Sequence, residues 1–356
     1  MPTAAANNAA HDAVRRAAKP ARVAPPRGIA LGLLLVASSA GAQAPPVAGG
    51  DAWDPARVMG ADSCRKCHDA EIEQWRRTPH HRTIDELHRK PEAKAIVDRL
   101  GLRSVKRNDT CVRCHYTRKE DDRGRVRIDS GVSCESCHGP SRDWIESHAA
   151  YEPGVTRETE TAEQRQRRRT AAVSAGMNNP SNLYLIARQC LDCHTTPDER
   201  LVEVGGHPAG SADFELVAWS QGMVRHNFAR SGGVSNDPSP LPRVRVMHVV
   251  GVMTDLEYSL RAVARATSAG KYGRTAAARA ATRKQSLWAI QRRLNHPLLA
   301  PALDAVSTVE LRLDNAAAIT AAAESVGDAA FAFAERADGS RLAAIDDLLP
   351  APSQYK

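Results

Sequence analysis

All eight cysteines of this chain, and four of its thirteen histidines, fall into four copies of one five-residue pattern. The copies are Cys64-Arg65-Lys66-Cys67-His68, Cys111-Val112-Arg113-Cys114-His115, Cys134-Glu135-Ser136-Cys137-His138 and Cys190-Leu191-Asp192-Cys193-His194. C-x-x-C-H is the pattern of covalent heme attachment. Zinc ribbons and redox dithiols also use C-x-x-C pairs, but neither requires a histidine directly after the second cysteine. The spacing has a physical reason. On a helical turn, residues three and four apart share a face. The two sulfurs can therefore reach the two vinyl groups along one heme edge, while the following histidine sits beneath the ring as the proximal iron ligand. The cofactor implied is heme c, four per chain, held covalently through Cys64, Cys67, Cys111, Cys114, Cys134, Cys137, Cys190 and Cys193, with His68, His115, His138 and His194 on iron.

Composition agrees. Only 4% of the 356 residues are aromatic, so flat apolar porphyrins would supply core material that Phe, Tyr and Trp usually provide. The segment before the motifs reads as a signal peptide over residues 1–44. Arg22 and Arg27 precede an apolar run, Gly28 to Ala42, followed by small residues suited to cleavage. That run is short for a membrane span, and no other segment reads as one. Export, and a periplasmic location, fit the chemistry of heme attachment. The formal charge of +8 does not point to nucleic acid. Residues 1–44 hold five of the 49 Lys+Arg and one of the 41 Asp+Glu, which leaves 44 against 40, or +4. With heme propionates and iron included, the mature protein would be near neutral when oxidised and about four units negative when reduced. The run Arg165-Gln166-Arg167-Arg168-Arg169 reads as a solvated face, with docking to an acidic redox partner as its other reading.

The elements that must position these residues follow from composition along the chain. Residues 45–60 are rich in Pro, Gly and Ala and read as a linker. Residues 61–227 form the heme region, where short helices joined by loops are expected to wrap the hemes. A second linker, residues 228–242, carries Gly232-Gly233, Pro238, Pro240 and Pro242. Beyond it, residues 243–349 are rich in Ala, Leu and Arg, contain no cysteine and have helical periodicity. Helices are expected at about 243–268, 275–295, 298–312 and 315–336, packed as an antiparallel bundle, with a tail at 350–356. The fold class is thus mainly α with much irregular structure: a multiheme cytochrome c fold around four hemes, then a C-terminal helical bundle.

Eight histidines outside the leader and the motifs could supply sixth ligands: His80, His81, His88, His148, His207, His226, His248 and His296. Met177 and Met223 are further candidates for which packing is the better reading.

Asp62-Ser63-Cys64 through Trp75-Arg76-Arg77-Thr78-Pro79-His80 resembles the first heme segment of the cytochrome c-554 family, tetraheme electron carriers that serve hydroxylamine oxidoreductase. The likeness continues at Asp109-Thr110-Cys111 to His115, is strongest at Gly131-Val132-Ser133-Cys134 through His138-Gly139-Pro140 with His148, and keeps the order at Gln189-Cys190 to His194. Gly205-Gly206-His207-Pro208, Phe214-Glu215-Leu216 and His226 resemble a segment of larger related cytochromes. The resemblance implies His148 opposite the iron bound by His68, and His80 opposite that bound by His138. His81 is the neighbour that could replace His80. His207 and His226 are then left for the second and fourth irons, in either order. His88, His248 and His296 remain structural or exposed. In that family the second heme lacks a sixth ligand, whereas this chain has enough histidines to fill it.

Two functions follow as expectations. With two histidines per iron the chain is an electron carrier between periplasmic or membrane-bound redox proteins. With one five-coordinate iron, at His115 above all, it is an enzyme acting on a small nitrogen oxide or hydroxylamine. Homo-oligomerisation through the C-terminal helices is open to either, and neither involves nucleic acid.

Overall fold

The computed structural model describes residues 53–356; the segment read as a signal peptide and most of that read as the first linker lie outside the described residues. The protein is mostly helical with little strand. In chain order the helices are α1 (Arg65–Arg76), α2 (Pro79–Glu86), α3 (Pro91–Arg99), α4 (Asp109–His115), α5 (Cys134–His138), α6 (Ala162–Ser174), α7 (Leu183–His194), α8 (Glu199–Glu203), α9 (Leu216–Ser220), α10 (Leu241–Arg265), α11 (Lys271–Leu294), α12 (Ala300–Ser307) and α13 (Ala316–Arg336). Two short strands, β1 (Thr117–Glu120) and β2 (Val126–Ser130), form an antiparallel hairpin between the second and third motifs. The hairpin was not among the sequence expectations. Its turn is set by Asp121, whose carboxylate accepts from the backbone N–H of Arg123 and Arg125, and by Gly124 at φ 71°.

The helices bearing the motifs start where caps allow. Asn108 accepts from Thr110 N–H ahead of α4, and Asn182 from Tyr184 N–H ahead of α7. Ser133 and Ser136 form a reciprocal capping box at α5. Gly139 ends α5 at φ 86°, and a Cβ there would lie 2.5 Å from the Gly176 carbonyl oxygen, so both conformation and space demand glycine. Residues 53–60, read from sequence as linker, are instead fastened down. The carboxylate of buried Glu135 accepts from the N–H groups of Met59 and Gly60 and from the N–H and hydroxyl of Ser141, all at 2.6–2.9 Å. The residue inside the third motif thus anchors the chain that leads into the first.

The C-terminal helices lie close to their expected spans. α10 is buried on nearly every side from Val244 to Val263, which marks it as the central helix. α11 and α13 pack along it, and α12 packs on α13. Gly327 and the alanines Ala322, Ala323, Ala329 and Ala330 let α13 approach closely. Asn295, in the left-handed conformation at φ 42°, ends α11 as its position implied. By length and composition Leu313–Arg336 could also cross a membrane, contrary to the sequence reading, but half of it is buried within the fold. One apolar core runs through α7, α9 and α10–α13, from Leu183 to Ile345. It passes across residues 228–242, so the fourth motif, at the end of α7, grows out of the same core as the C-terminal helices.

Candidate heme-attachment sites

Each proximal histidine faces a second histidine. The ring centres of His68 and His148 are 6.3 Å apart, those of His115 and His207 6.3 Å, those of His138 and His226 6.2 Å, and those of His194 and His80 6.3 Å. A metal–imidazole bond of about 2.0 Å on either side, plus roughly 1.1 Å from ring nitrogen to ring centre, separates two axial imidazoles by about 6.2 Å. The four pairs therefore fit four six-coordinate irons.

The pairing corrects the expected one at two points. His148 lies opposite His68, as the resemblance implied. His80 faces His194 rather than His138, and His226 takes the place opposite His138. The reason is local. Pro79 occupies the first turn of α2 and Thr78 caps it, so His80 and His81 fall on successive helical positions about 100° apart. His81 then turns its ring edge-on to Trp75 at 4.6 Å and faces none of the proximal histidines. Trp75 is held in turn by its Nε1–H, which donates to the Val132 carbonyl at 2.8 Å. Val132 N–H donates to the His80 carbonyl, and a Cβ on Gly131 would lie 2.3 Å from that oxygen. This backbone contact, with Thr83 Oγ1 donating to the His115 carbonyl, fixes α2 where His80 reaches across to the fourth motif.

Most of the paired rings are oriented by a contact at Nδ1. The acceptors are the carbonyls of Ile145 for His148 (2.5 Å), Pro208 for His207 (2.8 Å), Val224 for His226 (2.7 Å) and Asn178 for His138 (3.3 Å). A Nδ1–H donated in this way leaves Nε2 with its lone pair toward the partner ring. His68 has the Glu71 carboxylate at 3.6 Å, and His194 has the Ser211 hydroxyl at 2.9 Å. Burial, then the facing histidine, pushes His115 and His138 down to about 4; burial and then His80 do the same to His194. Burial also lowers His80 and His148. Each of these shifts favours the neutral imidazole, the form that binds iron.

The cysteines group two by two. Cys64 and Cys134 are hydrogen-bonded neighbours, and so are Cys114 and Cys193. The Arg113 guanidinium spans the second pair to the Asp192 carboxylate at 2.7 and 2.8 Å. The first and third motifs thus share one edge, and the second and fourth another. Burial pushes the Cys137 thiol up to about 11 and the Cys190 thiol further up, which suits an uncharged thioether at those positions. Among the described residues no disulfide forms, and no three His, Cys, Asp or Glu gather as a zinc ion would require. The Nε atoms of Arg57, Arg225 and Arg243 are buried without an acceptor among the described residues, and such guanidinium groups suit heme propionates.

The remaining candidates do other work. His248 pairs with the Glu215 carboxylate at 3.2 Å, and His296 accepts from Leu298 N–H and packs edge-on to Phe333. His88 pairs with no proximal histidine. Met223 is exposed, and the Met177 sulfur lies against the Asn179 amide. Sequence reasoning overlooked Ser211 and Trp219, and it named Phe214 only within the resembling segment Phe214-Glu215-Leu216. Phe214 and Trp219 enclose His194, with ring centres at 4.7 and 5.2 Å; the signal for Trp219 was an aromatic cluster shortly after the fourth motif in a chain poor in aromatics.

Residues 63–139, which hold the first three motifs, match the family described as cytochrome c554 and c-prime. The chain is 32% identical over 97 residues to cytochrome c-554 of Nitrosomonas europaea; the match covers 25% of this chain and 41% of that protein. The chain therefore spans less than half the length of that curated relative. No solved structure matches. Together, the family match and the relative support a cytochrome c-554-like multiheme cytochrome.

Proposed function

We propose that this chain is an exported electron carrier that holds four hemes c, each iron between two histidines, with a helical bundle behind the heme-bearing part. The observation that carries this reading is the set of four histidine pairs at 6.2–6.3 Å. When bound, each heme iron supplies a one-electron couple. The chain's own residues would hold each iron by a pair of histidines and orient most of those rings through contacts at Nδ1. The enzyme alternative needed an open iron at His115, and His207 faces that residue. The natural partners are then periplasmic or membrane-bound redox proteins, which deliver and withdraw electrons without binding substrate at iron.

Pyridine hemochrome assay with intact-mass measurement should give four hemes per mature chain. The EPR spectrum of the oxidised protein should hold low-spin signals alone. A different count, or a high-spin signal in the wild type, would sink the reading. His226→Ala should then turn only the iron bound by His138 high-spin, which separates the pairing described above from the one in which His80 serves that iron.

A further inference from the structure

The structure assigns Asp255, Arg279 and Arg283, on the C-terminal helices, as positioning residues for the iron site of His194; this rests on the four-heme reading above and deepens it. They lie far from the motifs in sequence and outside the family match, and they do not touch the imidazole. They act through the loop at residues 211–214.

Asp255 is buried on α10, 3% exposed. Its two carboxylate oxygens receive two guanidinium groups from α11, one helical turn apart. Arg279 donates through Nε at 2.5 Å and through Nη2 at 2.9 Å, and Arg283 donates through Nε at 2.6 Å. The Ser259 hydroxyl adds a longer contact at 3.3 Å. Each arginine then extends a second arm to the loop. Arg279 Nη1 donates to the Ser211 carbonyl at 2.6 Å, and Arg283 Nη2 to the Phe214 carbonyl at 3.2 Å. Those are the two loop residues that define the surroundings of His194. The Ser211 hydroxyl meets its Nδ1 at 2.9 Å, the Ser211 N–H donates to its backbone carbonyl at 2.8 Å, and the Phe214 ring stacks on it at 4.7 Å and 21°. A bidentate guanidinium–carboxylate pair fixes direction as well as distance, so the fork holds the loop from behind.

The charge count makes the fork more than a brace. Two guanidinium groups share one carboxylate, which leaves one net positive charge in a buried setting. A fixed cation beside an iron disfavours its ferric form, because that form carries one more positive charge than the ferrous form. Among these Nδ1 contacts, His194 alone has a hydroxyl partner; the others have carbonyls or, at His68, the Glu71 carboxylate, which pulls the opposite way. The fork therefore raises the reduction potential at His194 above what that site would have without it.

The test uses the full holoprotein. His80→Ala opens the iron bound by His194, and the low-spin EPR signal it converts to high-spin identifies that heme. Arg279→Gln should then lower the potential of that heme and leave the other three in place. Arg279→Lys should restore most of the loss, because it keeps the charge but not the bidentate geometry. Ser211→Ala, a mild change at a partly exposed position, should shift the g-values of the same signal even if Arg279→Gln fails to accumulate. Four low-spin hemes in the wild type with that potential and signal unmoved in both variants would overturn the inference alone. An equal shift at all four hemes would overturn it too, since that is the mark of general loosening. Fewer than four hemes, or a high-spin wild type, would instead bring down the four-heme reading, and the inference with it.

Discussion

The two parts of this molecule are built on different terms. From Leu183 to Ile345 a single apolar core joins α7, α9 and the four C-terminal helices, and it includes fully buried Tyr184, Leu256, Leu287, Ile290 and Phe333. Between Trp53 and α6 the buried apolar cluster amounts to Val97, Val105, Cys111, Val112 and Tyr116. What ties that first part together is mostly directed hydrogen bonding: four donors on the Glu135 carboxylate, Trp75 on Val132, Lys119 on the Met59 carbonyl, and Thr83 on His115. A fully buried large apolar side chain contributes about 1.5–3 kcal/mol, whereas a hydrogen bond contributes about 1 kcal/mol net. The contrast teaches that three of the four motifs lie where the chain has little core of its own, while the fourth is built on the core of the C-terminal helices.

The sharpest way to break that contrast is to withhold the hemes. Chain expressed without heme attachment should keep its C-terminal helices and lose the order of residues 53–160. Limited proteolysis should leave a resistant fragment that begins near α7, and hydrogen exchange should be fast before it and slow within α10 and α13. Uniform exchange through the whole chain would erase the distinction.

This division also explains what could be read in advance. The four C-x-x-C-H motifs are local, so they can be read from the sequence without any fold. The C-terminal helices were legible because apolar periodicity and the punctuation at Asn295 and Pro297 are local too. The pairings between facing histidines are long-range. Which ring faces His138 depends on how α2 is pinned by Gly131 and Val132 and on the loop after α9 that delivers His226, and neither contact leaves a periodic trace. The resemblance set His80 opposite His138, whereas its ring centre lies 6.3 Å from that of His194. The hairpin β1–β2 escaped because it is short and its strands are charged, Thr117–Glu120 and Val126–Ser130. The fork on Asp255 escaped because a charged residue in a helix reads as solvent-facing unless its partners are known.

Within the C-terminal core, removing packing should be costly without touching heme content. Phe333→Ala empties a fully buried site and should lower stability by about 3–5 kcal/mol. Denaturant titration of the holoprotein measures the loss, and hemochrome assay should still count four hemes. A fall in heme count to match would mean that the two parts do not fold on separate terms.

A smaller effect comes from Glu257, buried in α10, where it accepts from Tyr184 Oη at 3.0 Å and from Arg261 Nε at 2.9 Å. Burial outweighs these partners and pushes its carboxyl from 4.5 up to about 7. The folded state therefore binds a proton that the unfolded state has released. Stability from this group is complete below pH 4.5, falls as the pH rises toward 7, and is flat above that. Glu257→Gln should remove this slope and leave only a constant offset from the unpaired arginine. Unfolding curves for the two proteins that run parallel from pH 4.5 to 7 would show that Arg261 keeps the carboxylate charged throughout.

The smallest effect belongs to α6, which buries only Ala172 and so draws little from either core. Its start is held by a reciprocal box in which Thr161 accepts from Gln164 N–H and the Gln164 side chain accepts from Thr161 N–H. Thr161→Ala should cost about 1 kcal/mol. The loss should appear as faster amide exchange across Ala162–Ser174, with the unfolding midpoint of α10 unmoved. Arg168 links α6 to the site through the His148 carbonyl and the Glu160 carboxylate, so fraying that reaches Arg168 should also sharpen the salt dependence of the iron site at His68. A helix that loosens with no change there would show that the His148 loop stands without α6, and that the hydrogen-bonded half of the molecule is held from within each site rather than by the helices laid over it.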